Sequence, residues 1–260
     1  MLRSVLGVLL IACTAALAGG GFYAAASLKA EMIDPATLCP RNGATSATLI
    51  LIDRTDPLTP VEQAFAKDLI AAHRDAAARG ERIAVKVLRE RERGLGVALE
   101  TLVDLCNPGA GAEVNPFFEN PKRIAVRYES AFLQPVEDAL AALGHEGTAT
   151  ASPIAEALAL GVQSLDVQPE GLLKVILISD MMEYGPGASA YNGTLTPAAL
   201  TERLLPEVRP ALSAARTKVV LLPRPRFAKQ QASALKVWRR LFLELSGRDP
   251  DLMQPFGSGA

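Results

Sequence analysis

The sequence predicts an α/β fold, a three-layer α/β/α sandwich around a mostly parallel sheet with one antiparallel edge strand. Short apolar runs alternate along the chain with amphipathic stretches of helical period, the pattern of a parallel sheet covered by helices. The composition is 49% apolar but only 5% aromatic, which indicates an aliphatic core. A length of 260 residues fits one domain of about 200 residues with accessory segments.

The N-terminal segment predicts a membrane anchor. After Arg3, residues 4–28 carry no charge, and this run is long enough to cross a bilayer as a helix. Positive charge before the run favours an inside N-terminus and an exported domain, which in a bacterium means the periplasmic side of the inner membrane. Two alternatives are a cleaved signal peptide, with residues 16–18 as its site, and a lipoprotein signal ending at Cys13. The expected segments are the anchor or signal 1–28, a linker 29–46, the domain 47–247 and a flexible tail 248–260.

The first half of the domain is expected to hold three strands and one helix. Thr59 and Glu62 have the spacing of a capping box, and Pro60 stands at the first helical position, so a helix begins here. A glycine-containing turn at 94–96 joins the second and third strands tightly, which makes them antiparallel neighbours. The expected elements are strand 47–52, helix 60–79, strand 82–89 and strand 97–105.

The second half of the domain continues the alternation. The first of its helices contains Pro135, where we expect a bend, and Thr196 is expected to cap a later one. The expected elements are helix 121–143, helix 153–165, strand 172–179, helix 196–215, strand 218–222 and helix 228–246.

Two acids follow apolar strands directly. Asp53 ends the first strand and Asp180 ends the strand at 172–179. Ligands of such sheets bind beyond the carboxyl ends of the strands, where the strand order reverses. If these two strands are neighbours, both carboxylates point into one crevice and repel each other unless a counter-charge is present. The pair is therefore a reason to expect a cation.

Three segments together resemble the metal-ion-dependent adhesion site of the von Willebrand factor A domain family. Asp53-Arg54-Thr55-Asp56-Pro57 resembles that family's D-x-[ST]-x-S loop. The segment 147–154 resembles its threonine loop, with Thr148 in the ligand role, and 178–181 resembles its second aspartate segment. The resemblance covers about residues 47 to 245 and implies the family's α/β fold.

The resemblance implies that Asp53, Thr55, Thr148 and Asp180 bind Mg²⁺, or else Mn²⁺ or Ca²⁺. Such a hard cation takes oxygen ligands, and an Asp or Glu of a protein partner would complete its shell. Two positions depart from the family pattern: Pro57 replaces the second Ser, and Met181 replaces the common Gly. Since Pro has no side-chain ligand, the alternative is a metal-free scaffold of a bacterial envelope machine.

The family's fold also implies a disulfide. Its third strand runs antiparallel at the sheet edge and ends near the start of the first strand. Cys106 would then lie close to Cys39 in the arriving linker, and an exported domain permits the bond.

The remaining patterns argue against catalysis and against nucleic-acid binding. A phosphatase-like hydrolase would need a second Asp two residues after Asp53, where Thr55 stands, and no nucleophile elbow or P-loop motif is present. The net charge of −1 indicates no nucleic-acid partner, and the basic run from Arg224 to Arg240 is interpreted as a charged helix face. The sequence therefore predicts a protein-binding domain that is not an enzyme.

Overall fold

The computed structural model describes residues 33–90, 97–110, 120–144, 149–165 and 167–255, with a few residues between 13 and 21. A six-stranded sheet runs through its centre, in the order β3-β2-β1-β4-β7-β8. All neighbouring strands are parallel except β2 and β3, so the predicted fold class and its antiparallel edge strand are confirmed. The strands of this sheet are β1 (Ala44–Asp53), β2 (Arg82–Glu90), β3 (Val97–Cys106), β4 (Val167–Ser179), β7 (Arg216–Leu221) and β8 (Asp251–Met253).

Helices cover both faces of the sheet. One face carries α1 and the pair α2–α3, and the other carries α4 to α7. The helices are α1 (Pro60–Ala76), α2 (Pro121–Tyr128), α3 (Gln134–Ala142), α4 (Ile154–Gln163), α5 (Pro197–Arg203), α6 (Arg209–Ala214) and α7 (Ala228–Ser246), with 3-10 turns at Pro206–Val208 and Pro225–Phe227.

The core consists of two apolar clusters, one on each face of the sheet, and β1 is buried between them. Leu49 and Leu51 point into the cluster under α4 and α7, while Ile50 and Ile52 point into the cluster under α1 and α3. Gly161 lets α4 approach β1 closely, since a Cβ there would lie 3.0 Å from the Leu49 side chain. Apolar packing on both faces therefore fixes where β1 ends and where the loop after Asp53 begins.

Three prolines change the predicted helices. Residues 121–142 are helical as expected, but they widen into a π-helical turn, Glu129–Leu133, just before Pro135. Pro135 has no N–H to donate to the preceding turn, and the ladder adjusts there. The single helix predicted at 196–215 is wrong. It divides into α5, a 3-10 turn and α6, because Pro206 forces Leu205 into an extended conformation and Pro210 opens α6.

Two segments predicted as irregular contain short strands. The loop after β4 folds into a hairpin of β5 (Tyr184–Gly185) and β6 (Ala188–Ser189). Within the predicted flexible tail, residues 251–253 form β8 and pair in parallel with β7. All three β8 side chains are exposed, so backbone pairing along the open edge of β7 holds them rather than burial. For these three residues the expectation of a flexible tail is corrected.

The predicted disulfide is present. Cys39 and Cys106 are bonded, with their Cα atoms 4.9 Å apart, and the Cys106 N–H also donates to the carbonyl of Thr37. The predicted anchor lies almost wholly outside the described residues; those described within it, 13–14, 16–17 and 19–21, are helical. No helix in the described part of the chain is both long and apolar enough to span a membrane.

Candidate functional site

The two strand-end aspartates lie at the point where the strand order reverses. From β1 the chain continues to β2 and β3 on one side, and it later enters β4 on the other side of β1. Ile52 is in register with Ile178, so Asp53 stands beside Ser179 and Asp180 follows directly. The region beyond these carboxyl ends is called the crevice below, because ligands of α/β sheets bind at this position.

Asp53 forms the floor of the crevice. Its Oδ1 accepts hydrogen bonds from the Thr55 N–H, at 3.0 Å, and from the Thr55 hydroxyl, at 2.6 Å. Its Oδ2 accepts from the hydroxyls of Ser179, at 2.9 Å, and Ser152, at 3.1 Å. Both carboxylate oxygens are therefore satisfied by uncharged donors from three separate segments of the chain.

The described part of the loop that carries Thr148, which begins at Ala149, contacts the crevice. Ala149 donates its N–H to the Thr55 carbonyl at 2.9 Å, and Ser152 reaches Asp53 three residues later. Thr148 itself lies outside the described residues, so its role as a ligand stays a prediction. In the described part of this loop, Ser152 supplies the hydroxyl.

Asp180 accepts fewer hydrogen bonds than Asp53 and lies next to a charged side chain. Its Oδ1 accepts from the Met182 N–H at 2.9 Å, and its Oδ2 lies 3.1 Å from Nε of Arg224. Burial, reinforced by the negative charge of Asp53, raises the pKa of Asp180 to about 7, although the Met182 N–H and Arg224 act in the opposite direction. This carboxyl therefore exchanges a proton near neutral pH.

Arg224 brings a positive charge into the crevice. Besides Asp180, its guanidinium contacts Glu62 in the first turn of α1, with Nη1 and Oε1 3.1 Å apart. Its Nε also lies 3.8 Å from Oδ2 of Asp56, whose side chain is 54% exposed at the mouth of the crevice. One arginine thus pairs with an acid directly after β4, an acid of α1 and an acid of the loop between β1 and α1.

The backbone after Asp180 is held in an unusual conformation. Met181 has a φ of 61°, in the left-handed region that glycine adopts most easily. Its N–H donates to the Ser179 hydroxyl, and its carbonyl accepts from the indole N–H of Trp238 at 3.1 Å. Gln231 fixes the preceding carbonyl, that of Asp180, with a 3.0 Å hydrogen bond. Helix α7 therefore positions this end of β4.

Next to the crevice lies a second buried acid, Glu183. Its side chain is fully buried, accepts from the Ala155 N–H at the start of α4 at 3.0 Å, and lies 3.3 Å from Nη1 of Arg203. Burial raises the pKa of Glu183 to about 7, while the Ala155 N–H and Arg203 lower it. This cluster ties the β5–β6 hairpin to α4 and α5.

Exposed aromatic rings form one rim of the crevice. Tyr184 is paired through its backbone with Ser152, and its ring meets that of Tyr191 edge to face, with centroids 5.6 Å apart. Tyr191 in turn packs edge to face on Phe227 at 5.3 Å. The side chains of Tyr184 and Tyr191 are 46% and 42% exposed. Large aromatic side chains with this exposure are typical of protein-binding surfaces.

The sequence predicted part of this arrangement. Asp53, Thr55 and Asp180 come together as expected, while Ser152 and Ser179 had no assigned role although both lie in motif segments. Arg224 was misassigned: it does not belong to a helix face but precedes the 3-10 turn and points into the crevice. The sequence signal that could have indicated this placement is its position three residues after β7, the strand next to β4 in the sheet.

The described side chains do not fit a divalent cation as they stand. The hydroxyls and carboxylates are the right kind of ligand for Mg²⁺. However, both oxygens of Asp53 accept two hydrogen bonds each, and Asp180 is paired with Arg224. In the part of the chain that the structure describes, no three His, Cys, Asp or Glu side chains are grouped to hold a metal. The metal site remains a prediction.

Comparison with known proteins gives distant structural similarities. No protein-family model and no curated protein matches the sequence. Among solved structures, an aerotolerance-related membrane protein from Bacteroides fragilis NCTC 9343 is 13% identical over 82% of this chain and 92% of that one, with a TM-score of 0.36. A von Willebrand factor type A structure from Catenulispora acidiphila is 15% identical over 75% of this chain and 43% of that one, with a TM-score of 0.39.

Both TM-scores are low, so the assignment of the fold rests on the chain's own topology and motifs. The sheet has the antiparallel edge strand that the resemblance implies, next to five strands that run in parallel. Asp53 and Asp180 end neighbouring strands at the point where the strand order reverses. The architecture and the layout of the strand-end aspartates therefore agree with the fold that the resemblance to the von Willebrand factor A domain family implies.

Proposed function

We propose that this domain binds another protein at the crevice between β1 and β4. The observation that carries the proposal is the combination of an acidic crevice at the switch point of the sheet with the exposed tyrosine rim beside it. Strand-end crevices of this kind are where α/β sheets bind ligands, and exposed aromatic side chains favour a protein ligand.

Two versions of this function differ in the role of metal. In the first, Asp53, Thr55, Thr148 and Asp180 hold Mg²⁺, Mn²⁺ or Ca²⁺, and an acid of the partner completes the shell. In the second, the domain is a metal-free scaffold within an envelope assembly. The ion pair between Asp180 and Arg224 supports the second version, because the carboxylate already has a cationic partner.

The proposed location is the bacterial inner membrane, with the domain on the periplasmic side. The uncharged run at residues 4–28 supports an anchor, and the alternatives are a secreted or a lipid-anchored protein. The bond between Cys39 and Cys106 supports export, since disulfides persist in oxidising compartments.

A catalytic role is not proposed. In a phosphatase-like hydrolase Asp53 would attack the substrate, but here each of its oxygens accepts two hydrogen bonds at the floor of the crevice. Thr55, which stands where such an enzyme needs a second acid, donates one of these bonds. These contacts support a binding function.

Site-specific cross-linking in living cells tests the proposal. A photo-crosslinking phenylalanine analogue in place of Tyr191 is expected to give a discrete adduct with one partner protein, because this ring lies at the crevice rim. The same analogue at Arg216, which is exposed at the opposite end of the sheet, is the matched control and should give no such adduct.

A further substitution ties the adduct to the crevice. Asp56→Lys reverses the charge at the mouth, where the side chain is 54% exposed, and is expected to reduce the Tyr191 adduct several-fold. The same adduct from Arg216, or a yield that Asp56→Lys leaves unchanged, would show that the partner does not use this crevice.

A further inference from the structure

We infer that Arg224 is the cation of the crevice and pairs with Asp180, one of the four side chains that the family resemblance assigns to a metal ion. The inference deepens the proposed function, because it concerns the same crevice and rests on it for its relevance to partner binding. Its test uses metal ions alone, so either idea can fail without the other.

The contacts of Arg224 are those of a central counter-ion. Its Nε lies 3.1 Å from Oδ2 of Asp180, and its Nη1 donates to Oε1 of Glu62 at 3.1 Å. Asp56 approaches the same Nε at 3.8 Å. These acids come from three separate segments of the chain. A single guanidinium pairs with all three, as a bound metal ion would.

Burial makes the charge of Arg224 necessary. The side chains of Asp180 and Glu62 are only 5% and 3% exposed, and Arg224 itself is 18% exposed. Buried carboxylates need a paired cation, and removing one partner of such a pair leaves an uncompensated charge. A divalent ion at Asp180 would have to displace the guanidinium from this partly buried position, so the intact crevice should reject it.

The backbone around Arg224 holds the side chain in place. Pro223 and Pro225 flank it, and the Arg224 N–H donates to Oε1 of Gln231 on α7 at 3.1 Å. Gln231 also donates to the carbonyls of Asp180 and Leu222. The same glutamine therefore fixes both the loop that delivers the arginine and the strand end that carries its carboxylate.

The consequence is that partner binding at this crevice needs no divalent ion. Arg224 already neutralises part of the acidic charge that the sequence led us to assign to a metal. Removing this cation should leave Asp180, Glu62 and Asp56 without their partner and turn the crevice into a cation site.

Metal-dependent thermal unfolding of the purified full-length chain in detergent tests this inference. The Tm of the parent is expected to be unchanged by MgCl2 or MnCl2. Arg224→Gln, which removes the charge but keeps hydrogen-bonding capacity, is expected to gain roughly 5 °C at a metal concentration about 100 times its dissociation constant. Arg224→Lys keeps the charge and should show no gain.

The matched control is Arg226→Gln. Arg226 is the next cation along the loop, but it is exposed and lies over the Phe227 ring, 5.6 Å from its centroid. This variant should behave as the parent does. If Arg224→Gln does not fold without metal, MgCl2 is expected to restore its folding.

Three results would overturn the inference. One is a parent that is stabilised by Mg²⁺ or Mn²⁺ as much as Arg224→Gln is. Another is an Arg224→Gln variant that folds but gains nothing from either ion. The third is an unfolded Arg224→Gln variant that MgCl2 does not rescue.

Discussion

Asp53 and Asp180 occupy equivalent strand ends but have different chemistry. Asp53 accepts four hydrogen bonds from hydroxyl and amide donors. Asp180 accepts one from the Met182 N–H and otherwise depends on Arg224 for its charge. Because Asp180 is also buried beside the charge of Asp53, its pKa rises to about 7.

This raised pKa predicts a pH-dependent stability. The folded-state pKa of Asp180, about 7, lies above its ordinary value of 3.8, so protonation favours the folded state. Its contribution is fully present below the ordinary pKa and is lost as the pH rises through 7. Between pH 8 and pH 5, the free energy of unfolding should rise by about 2–3 kcal/mol more in the parent than in Asp180→Asn.

Urea denaturation of both proteins at several pH values measures this difference. The comparison cancels the groups that titrate independently of Asp180, including Glu183, whose raised pKa acts in the same direction, and His73, whose pKa is lowered by burial. Parallel pH profiles for the parent and Asp180→Asn would show that Asp180 does not bind the proton.

Met181 occupies the position at which the family pattern commonly has Gly. The residue lies in the left-handed region, where a side chain is strained. Here the strain is offset by a fully buried Met181 side chain and by the hydrogen bonds to Ser179 and Trp238. At this position, where the family pattern has Gly, the chain therefore holds a methionine in a backbone conformation that glycine adopts most easily.

At the scale of elements, the first turn of α1 links helix capping to the crevice. Glu62 uses Oε2 to accept from the Thr59 N–H at 2.8 Å and Oε1 to accept from Arg224. The Thr59 hydroxyl completes the predicted capping box by accepting from the Glu62 N–H. The cap therefore also orients a carboxylate toward the crevice cation.

Removing the Thr59 hydroxyl should weaken the start of α1. Thr59→Ala is expected to lower the free energy of unfolding by about 1 kcal/mol, the usual value for loss of an N-cap. Thr59→Ser keeps the hydroxyl and should stay close to the parent in urea denaturation. Equal stability of the Ala and Ser variants would mean that the hydroxyl contributes nothing here.

At the scale of the whole molecule, the disulfide ties the segment before β1 to the edge of the sheet. Cys39 and Cys106 are separated by 67 residues, so the bond closes a long loop in the unfolded chain. The chain-entropy estimate for such a loop is about 4 kcal/mol. The double substitution Cys39→Ala and Cys106→Ala should therefore lower the free energy of unfolding by about 2–4 kcal/mol.

Urea denaturation under non-reducing conditions measures this loss. Cys13→Ala is the control, because Cys13 is a free and exposed cysteine and its removal should not change stability. A double variant as stable as the parent would mean that the bond adds nothing to folding.

The sequence by itself determined the alternation of strands and helices, the antiparallel edge, the start of α1 and the disulfide. The first three follow from local patterns, namely apolar periodicity, a tight turn and capping residues, whereas the disulfide followed from the course of the third strand that the family resemblance implies. The sequence determined the strand-end positions of Asp53 and Asp180 from the same local patterns. It did not place the helix breaks at Pro206 and Pro210, where proline geometry overrides the helical pattern. It also did not place the pairing of β8, which depends on the open edge of β7 rather than on burial.

Only the tertiary structure decided which charge completes the crevice. Arg224 follows Asp53 by 171 residues in the chain, and its position three residues after β7 separates it from the basic residues of α7 without showing that its side chain reaches Asp180. The strand order β1-β4-β7 brings its loop to the end of β4, and burial makes its ion pairs with Asp180 and Glu62 necessary. Sequence pattern fixes where strands end, whereas a counter-ion is selected by proximity in space.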